Sequence, residues 1–378
     1  MSAQKAALVA PGPVPLPEAV RLAMAGQLIH HRTPAFEAIM REVGQGLGWL
    51  YQTQQDVLVL TGSGSTGMEA ALVNFARSDA PVVCVGGGKF ALRWAEVARA
   101  YGVEVVLLEV PWGQAASPEA LGELLEAHPN TAAVTITANE TSTGVHHPIE
   151  ALCAVVRERS EALLLVDGIT AVGVQDLGMD ALGIDALVTG SQKVYAVPPG
   201  LAFVGVSERA WSRLGDLPRY GLDLARERAR QCDGQTAFSP AISLIFGLQA
   251  ALRLLREEGL EALWGRHARC AQATRAGVAA LGLELFSAAP CNAVTAVRVP
   301  DGLDGVALAT RCLELGAVIA GGQSHLKGKI LRIGHLGSHR RADVIHALST
   351  LELALESMGH PVAFGKGVGA ALARFSAS

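Results

Sequence analysis

The sequence has little excess charge of either sign, few cysteines and no long apolar run, and each absence excludes a class of protein. Its 31 basic and 35 acidic residues give a formal net charge of −4, so we expect neither nucleic acid nor a membrane surface as a partner. No uncharged apolar stretch of about 18 residues stands out as a membrane span. The N-terminus lacks the apolar core of a signal peptide, which favours a cytoplasmic location.

The six cysteines stand far apart, and none forms a Cys-x-x-Cys pair. In a chain of 378 residues they do not make a disulfide scaffold; they indicate a reducing compartment, and we predict no metal site. What the sequence has in abundance is apolar residues, which make up 50% of it, and glycine, at 42 residues. This composition is typical of an α/β enzyme and argues against disorder.

From Asp56 onward, short apolar runs alternate with helix-like segments. This alternation predicts an α/β fold with a mainly parallel, seven-stranded sheet that helices cover on both faces. A Pro198-Pro199-Gly200 turn leads directly into the last run, so the last strand is expected to be antiparallel to its neighbour. The predicted strands are Asp56–Leu60, Val82–Val85, Val103–Glu109, Ala132–Thr137, Leu163–Val166, Ala186–Thr189 and Leu201–Val206. The predicted helices are Ser65–Ala76, Leu92–Tyr101, Pro118–Ala127 and Ile149–Arg159.

The C-terminal third has a different pattern. It is helical from Ser239 to about Leu281 and then predicts a smaller α+β unit, with strands near 293–299 and 330–333. We divide the chain into an N-terminal arm (residues 1–25), a large domain (26–260) and a small C-terminal domain (261–378). The Pro-rich arm is expected to be extended, and the last dozen residues are expected to fray.

Two apolar runs end in charged residues, which a buried strand tolerates only where the charge is used or paired. One run ends in Asp167, and the other leads into Ser191-Gln192-Lys193. A lysine and an aspartate at strand ends of one sheet are what pyridoxal phosphate (PLP) chemistry requires. The lysine forms a Schiff base, and the aspartate keeps the pyridine nitrogen protonated. A Lys–Asp ion pair at a sheet edge fits the same spacing equally well.

Gly62-Ser-Gly-Ser-Thr-Gly67 follows the first predicted strand and opens a helix, so it matches the dinucleotide-binding pattern Gly-x-Gly-x-x-Gly. A dinucleotide site needs an acidic residue at the end of the next strand, but that strand ends in Gly86-Gly-Gly-Lys89. Hydroxyls at Ser63, Ser65 and Thr66, beside free amides at a helix N-terminus, suit a single phosphate. We therefore favour the phosphate of PLP over a dinucleotide, with a purely structural turn as the third interpretation.

Seven segments carry a further pattern: Pro11-Gly12-Pro13, His30–Pro34, Thr61–Ala71, Asn139–Gly144, Thr189–Lys193, Pro198–Val204 and Lys327–Gly334. In this order they resemble the class V, fold-type I aminotransferases, in particular the branch of serine–pyruvate, alanine–glyoxylate and serine–glyoxylate aminotransferases. The resemblance extends from about Pro11 to about Leu353. It implies a fold-type I transferase, PLP as the cofactor, and a homodimer with a shared active site.

The resemblance also implies a role for each site residue. Lys193 would form the Schiff base and then move a proton between the substrate Cα and the cofactor, while Asp167 would pair with the pyridine nitrogen. Arg332 would bind the substrate α-carboxylate through its planar guanidinium, with an internal ion pair as the alternative. The other implied cofactor-binding residues are Ser65, Thr66, Gly67, Phe90, Thr141, Ile169 and Gln192, and Gly12 and Ser142 would lie beside the substrate.

Two stretches depart from the family pattern. The neighbouring subunit of a family homodimer contributes to the phosphate pocket, and Gln235–Pro240 is the matching stretch here. It keeps hydroxyls at Thr236 and Ser239 but not the Thr-Pro-aromatic-Thr-Pro sequence. Gly168 and Thr170 also replace the small, Ser-rich residues that usually follow the aspartate.

These features predict a PLP-dependent aminotransferase that moves the amino group of alanine or serine to glyoxylate or pyruvate by a ping-pong mechanism. The sequence does not distinguish among these donors and acceptors. One alternative is another fold-type I enzyme, such as a phosphonate or pyridoxamine aminotransferase or a cysteine desulfurase-like lyase. A desulfurase carries His where this chain has Gln192 and needs a loop cysteine, for which Cys291 is the candidate. A dinucleotide-binding protein is the other alternative, and it would leave Lys193 and Asp167 without a role.

Overall fold

The structure is a computed structural model that describes residues 6–377; residues 1–5 of the predicted arm and Ser378 of the predicted small domain lie outside the described residues. The strands are β1 (Ala7–Leu8), β2 (Asp56–Gly62), β3 (Val82–Val85), β4 (Val105–Leu108), β5 (Ala133–Thr137), β6 (Asn139–Glu140), β7 (Val145–His146), β8 (Leu163–Asp167), β9 (Ala186–Gly190), β10 (Gly200–Val206), β11 (Val294–Arg298), β12 (Ala317–Val318), β13 (Ala320–Gly321) and β14 (Ile330–Gly334).

The α-helices are α1 (Glu18–Met24), α2 (Pro34–Tyr51), α3 (Gly64–Phe75), α4 (Lys89–Ala100), α5 (Pro118–Ala127), α6 (Ile149–Arg159), α7 (Met179–Leu182), α8 (Glu208–Trp211), α9 (Leu224–Gln231), α10 (Ile242–Glu258), α11 (Leu260–Ala280), α12 (Gly305–Glu314), α13 (Arg341–Ser357) and α14 (Lys366–Ser376). None of the helices within residues 6–377 combines the length and apolarity that a membrane span requires.

Seven strands form the main sheet, in the order β2-β10-β9-β8-β5-β3-β4. Strand β10 is antiparallel to both β2 and β9, and the other neighbours are parallel. The predicted mainly parallel sheet is therefore confirmed, as is the antiparallel strand after Pro198-Pro199-Gly200. Parallel strands end at the same edge of a sheet, so the segments that follow β3, β5, β8 and β9 come together there.

Helices cover the sheet on both faces, as predicted. Leu164 and Val166 of β8 pack into one hydrophobic core with α2, α5, α6 and α10. Leu163 and Leu165, which alternate with them, pack into a second core with α3 and α4. A strand that is buried on both faces has no polar face, and this explains the uninterrupted apolar run that ends in Asp167.

The C-terminal part has its own three-stranded antiparallel sheet, β11-β14-β13, and its own core with α11, α12 and α13. The N-terminal segment joins this part, because β1 pairs with β12 and Val9 packs in the same core. The arm is not wholly extended as predicted: α1 forms directly after the prolines, with Val20 fully buried. The domain boundaries after residues 25 and 260 stay a prediction.

The predicted frayed tail is wrong. Helix α14 occupies most of it and packs on α11, where Gly277 and Gly367 allow a close approach between the helices. The buried carboxylate of Glu352 accepts hydrogen bonds from the amides of Gly365 (2.8 Å) and Gly367 (2.9 Å) and so fixes the start of the helix. Gly365, Gly367 and Gly369 fall within this stretch, and glycine disfavours helix, so the local sequence pattern indicated a helix only weakly.

Candidate active site

Asp167 is the last residue of β8, and its side chain is almost fully buried. Its Oδ1 accepts a hydrogen bond from the amide of Ile169 at 2.8 Å. Burial raises the pKa of Asp167 to about 7; the Ile169 hydrogen bond opposes this rise, and the nearby charge of Glu140 adds to it. The carboxyl group is thus poised to ionise when a cationic partner arrives.

Lys193 lies in the turn after β9, at the same edge of the sheet. Burial lowers its pKa to about 8; the charge of Arg332 adds to this effect, and that of Asp167 opposes it. The residues described contain no ion pair between Lys193 and Asp167, so the ion-pair alternative for these residues is not observed. A lysine with this pKa carries a useful fraction of neutral, nucleophilic amine near neutral pH.

The N-terminal segment covers the Lys193 amine. Nζ donates a hydrogen bond to the carbonyl oxygen of Pro11 at 2.6 Å. Gly12 has φ +122°, and a Cβ there would lie 2.5 Å from Nζ. Only glycine fits this position, so the predicted contact of Gly12 with the site is made through the lysine side chain.

One cavity joins the predicted site residues at this sheet edge. Phe90 from the start of α4 and Ile169 from the loop after β8 contribute to its walls, and Thr141 lies in the turn after β6. Seven of the predicted residues line it: Ser65, Phe90, Thr141, Asp167, Ile169, Gln192 and Lys193. Phe90 is half-buried at the cavity and not packed in the core.

The N-terminus of α3 faces the cavity with a different set of residues from the one predicted. Ser63, Gly64 and Ser65 line the cavity. The amides of Thr66 and Gly67 instead bond to the carbonyl of Ser63, at 2.8 and 3.2 Å. A Cβ on Gly67 would lie 2.7 Å from Val188, so Gly67 serves the packing of α3 on the sheet. The structure therefore shifts the candidate phosphate donors from residues 65–67 to residues 63–65.

Arg332 lies in β14 and is 6% exposed. Its Nε donates to the carbonyl of Gly321 at 2.9 Å, and its Nη1 to the carbonyl of Thr141 at 3.0 Å. Among the described residues it forms no ion pair, so the internal ion-pair alternative is not observed. Burial lowers the pKa of Arg332 to about 10, and the charge of Glu140 opposes that shift. A buried guanidinium held by carbonyls alone still has donors for an anion.

Four of the predicted residues do not line the lysine cavity within one chain: Thr66, Ser142, Thr236 and Ser239. Ser142 is buried behind the cavity wall, where its Oγ accepts from the amide of Lys89 at 3.0 Å. Thr236 and Ser239 line a second pocket of about 250 Å³, together with Thr66. Thr236 is buried and donates to the carbonyl of Phe238 at 2.6 Å, whereas Ser239 is exposed.

Sequence reasoning missed two charged residues at the site. Glu140 is fully buried beside Thr141, and Arg93 lies one helical turn after Phe90 in α4. Arg93 Nη1 donates to Ser65 Oγ at 2.9 Å, and its guanidinium lies 5.0 Å from the centre of the Phe90 ring. The sequence offered little signal for Arg93, because the predicted helix begins at Leu92 and only the structure extends it back to include Phe90. Glu140 had only its place in the segment Asn139–Gly144.

A groove of about 780 Å³ opens at the opposite edge of the sheet and does not offer the same chemistry, because its arginines are paired, Arg77 with Asp79 and Arg213 with Glu161. Cys291, the candidate loop thiol, is buried, and burial raises its pKa, which does not suit a mobile nucleophile. Within residues 6–377 no three His, Cys, Asp or Glu side chains group as metal ligands would.

The lysine cavity fits PLP on its own features. The buried Oε1 of Gln192 has no partner among the described residues and lies near Gly190 and the N-terminus of α3. A Cβ on Gly64 would meet Ile169 at 2.5 Å, so glycine keeps this wall open. Lys193, Asp167 and a helix N-terminus then supply an amine, an acid and amide donors around one cavity.

The fold and this site define an enzyme that transfers amino groups. A family model described as aminotransferase class-V matches residues 21–348. The chain belongs to the class-V aminotransferases, and the predicted fold and class of enzyme are confirmed.

Relatives and solved structures agree in coverage but differ in name. A protein named soluble hydrogenase, small subunit, of Synechococcus sp. (strain PCC 6716) is 41% identical, covering 98% of this chain and 97% of that protein. L-aspartate–glyoxylate aminotransferase of Paracoccus denitrificans and serine–glyoxylate aminotransferase of Arabidopsis thaliana are each 34% identical, covering 96% of this chain and 94% of theirs. The crystal structure of pyridoxamine-pyruvate aminotransferase from Mesorhizobium loti has a TM-score of 0.94 and 32% identity, over 99% of this chain and 98% of that one.

Proposed function

We propose that this aminotransferase uses PLP to move the amino group of alanine or serine to glyoxylate or pyruvate in a ping-pong reaction. The observation that carries the proposal is a buried arginine without a carboxylate partner, Arg332, bonded to the wall of the cavity that holds Lys193. A free guanidinium beside an amine with a lowered pKa suits an α-amino acid, because one binds its carboxylate and the other acts at its Cα.

The cofactor would be held at three places. The amides of Gly64 and Ser65, the side chain of Gln192 and the guanidinium of Arg93 would surround its phosphate. Phe90 and Ile169 would contact the ring, and Asp167 would bond to the ring nitrogen. When bound, PLP supplies an aldehyde that reacts with amines and a ring that withdraws electrons from the substrate Cα.

The residues of this chain would then divide the work. Arg332 would orient the α-carboxylate through two parallel hydrogen bonds. The neutral amine of Lys193 would take the proton from Cα and return it on the opposite side of the transferred nitrogen. Asp167, as a carboxylate, would keep a proton on the ring nitrogen, and Thr141 would support both the cavity wall and Arg332. Pro11 and Gly12, which cover the lysine amine, would shield it from water.

We also propose that two copies of the chain share their sites. Thr236 and Ser239 lie outside the lysine cavity of their own chain, which suits donors that act across an interface. Beside them, Tyr220 is 71% exposed and its ring lies 5.8 Å from that of Phe238, with Arg226 over both. Exposed aromatic and arginine side chains are enriched at interfaces. Thr236 and Ser239 would thus reach the phosphate of the neighbouring copy.

Two of the similar proteins suggest other chemistry. The Mesorhizobium structure is named for pyridoxamine as the donor, which would place a free ring where an amino acid binds. The Synechococcus relative is named a hydrogenase subunit. We favour PLP with an amino acid donor because Arg93 and the N-terminus of α3 offer donors for a phosphate, which pyridoxamine lacks. We favour transamination over hydrogen chemistry because Lys193, Asp167 and Arg332 meet at one site.

A panel of amino donors tests the proposal. Purified protein with PLP would be given alanine, serine, aspartate or pyridoxamine, with glyoxylate or pyruvate as acceptor, and the new amino acid would be measured by chromatography. We expect alanine or serine to be the best donor. Turnover with pyridoxamine and with no amino acid donor would overturn the proposed amino donor. Hydrogen-dependent dye reduction without any transamination would overturn the proposed function.

A further inference from the structure

Among the described residues at the site, the carboxylate of Glu140 is a charged group to which the proposed reaction gives no role. Glu140 ends β6 and is 0% exposed. Its Oε2 accepts from the amides of Phe90 (2.9 Å) and Ala91 (2.8 Å), and its Oε1 accepts from the amide of Ser142 (2.9 Å). A buried carboxylate is costly unless hydrogen bonds replace its water, and here backbone amides from two segments do so.

Helix α4 depends on this carboxylate for its first turn. The residue before the helix is Gly88, which has no side chain to cap it. The amide of Lys89 instead donates to Ser142 Oγ, and the next two amides donate to Glu140. A Cβ on Gly88 would lie 2.2 Å from Glu140 Cγ, so glycine is what admits the carboxylate. The cap is therefore supplied from another segment of the chain.

This arrangement connects two parts of the site, the cavity wall at Phe90 and the hydrogen bond between Thr141 and Arg332. Phe90, whose amide Glu140 holds, forms one wall of the lysine cavity. Thr141, which follows Glu140 directly, lines the same cavity and accepts the hydrogen bond from Arg332. Loss of the Glu140 bonds would release the ring wall and the carbonyl that holds Arg332 at the same time.

The charge of Glu140 acts on the same residues. It raises the pKa of Asp167 and opposes the lowering of the pKa of Arg332, so it lies within electrostatic reach of both. Burial raises the pKa of Glu140 itself, and its hydrogen bonds to Ser142, Ala91 and Phe90 oppose that rise. Glu140 thus balances a buried arginine that has no ion-pair partner among residues 6–377.

We propose that Glu140 is a positioning residue. It fixes Phe90 relative to Thr141 and Arg332, so that the cofactor ring and the substrate carboxylate are held in the correct positions relative to each other. The inference rests on the proposed function, because it concerns the same cavity. Glu140 would contact neither the cofactor nor the substrate. It acts through the backbone of the residues that contact them.

The variant Glu140→Gln tests this, because it keeps the shape but turns an NH₂ donor toward the backbone amides. We expect its dissociation constant for PLP, measured by cofactor fluorescence, to rise about tenfold or more, in line with the strength of hydrogen bonds to charged groups. The KM for the amino donor should rise as well. In the cofactor-free protein, hydrogen exchange at the amides of Phe90 and Ala91 should become faster.

Asp304→Asn is the matched control. Asp304 is an exposed carboxylate that caps α12 through the amides of Val306 (2.8 Å) and Ala307 (3.4 Å), on another part of the molecule. This variant should leave PLP binding and KM unchanged. If Glu140→Gln lowers the melting temperature but binds PLP as the wild type does, Glu140 is only structural and the inference is overturned.

A second variant tests the inference if Glu140→Gln does not fold. Ser142→Ala removes the acceptor of the Lys89 amide and a side-chain hydrogen bond to Glu140, so PLP affinity should fall in the same direction by about twofold to fivefold. Wild-type affinity in a folded Ser142→Ala protein, with no stable Glu140→Gln protein, would also overturn the inference. A wild-type protein that binds no PLP would instead overturn the proposed function.

Discussion

At the scale of single residues, burial shifts the pKa values of the ionisable side chains of the site away from their ordinary values. Asp167 is held near the point of ionisation, Lys193 is partly neutral, and Arg332 is buried without a carboxylate. Each of these states is unfavourable in the cofactor-free protein. A bound ligand with a complementary charge or reactive group would relieve each of them. The residues that bind and react should therefore lower the stability of the cofactor-free protein.

Asp167→Asn tests this cost. The pKa of Asp167 in the folded protein, about 7, lies above its ordinary value of 3.8, so the folded state binds a proton more strongly than the unfolded state between these values. Its contribution to stability falls as the pH rises through this window. Near pH 8 the cofactor-free variant should be more stable than the wild type, by a few kcal/mol at most, and near pH 4 the difference should vanish.

Thermal melts of the two cofactor-free proteins across that pH range measure the effect. Asp223→Asn, at the cap of α9, is the control for the loss of a carboxyl group outside the site. If the wild type stayed more stable than Asp167→Asn at every pH, the carboxyl group of Asp167 would not have the raised pKa that its burial predicts. PLP binding by Asp167→Asn should be weak under all conditions.

Arg332→Lys separates charge from shape at the carboxylate site. Lysine keeps the charge but not the two parallel hydrogen bonds, so kcat/KM for the amino donor should fall about 10- to 100-fold. The dissociation constant for PLP should change little. Arg298→Lys, on the neighbouring strand β11 with its side chain exposed, is the matched control and should retain wild-type kinetics. Equal losses in both variants would show that Arg332 acts through the sheet and not on substrate.

At the scale of elements, the sequence allowed most strands and helices to be predicted within a few residues. Strands β3 and β10 and helices α5 and α6 lie where apolar runs, prolines and N-cap residues place them. The choice of residues 63–65 as candidate phosphate donors could not be predicted, because it depends on which amides bond to the carbonyl of Ser63 in the first turn of α3. The cap of α4 by Glu140 was equally hidden, since its partners lie about 50 residues apart in sequence.

Helix α2 allows a local test of the fold with two glycines on one helix. Gly44 is exposed, and a Cβ there would meet nothing within 4 Å, whereas a Cβ on Gly46 would lie 2.9 Å from Leu252. Gly44→Ala should raise the free energy of unfolding by about 0.5–1 kcal/mol, because alanine favours helix. Gly46→Ala should lower it by about 1–3 kcal/mol through overpacking against α10. Chemical denaturation of both variants would show whether the signs are opposite.

At the scale of the whole molecule, both ends of the chain take part in the structure around the site. The N-terminal segment pairs with β12, crosses Gly334 at the end of β14 and then covers Lys193. The C-terminal helix α14 packs on α11 behind the small sheet. Neither contact follows from a local sequence pattern, because β1 and β12 are roughly 300 residues apart and α11 and α14 are roughly 90 residues apart in sequence.

Glu352→Ala tests whether the C-terminal helix belongs to the fold. The variant leaves the amides at the start of α14 without their buried acceptor, so the free energy of unfolding should fall by about 2–4 kcal/mol. Glu356→Ala, one turn later in α13 and exposed, is the control and should change stability by less than about 0.5 kcal/mol. Equal melting temperatures for the two variants would mean that α14 is dispensable.

The central claim is that Lys193 is the amine to which PLP attaches. Incubation of the protein with PLP, reduction with borohydride and mass spectrometry of the digested protein identify the modified lysine directly. We predict that the reduced cofactor is found on the peptide that contains Lys193, and that prior addition of alanine or serine removes it. Modification of an exposed lysine such as Lys327 or Lys366 instead, or of none, would contradict the account.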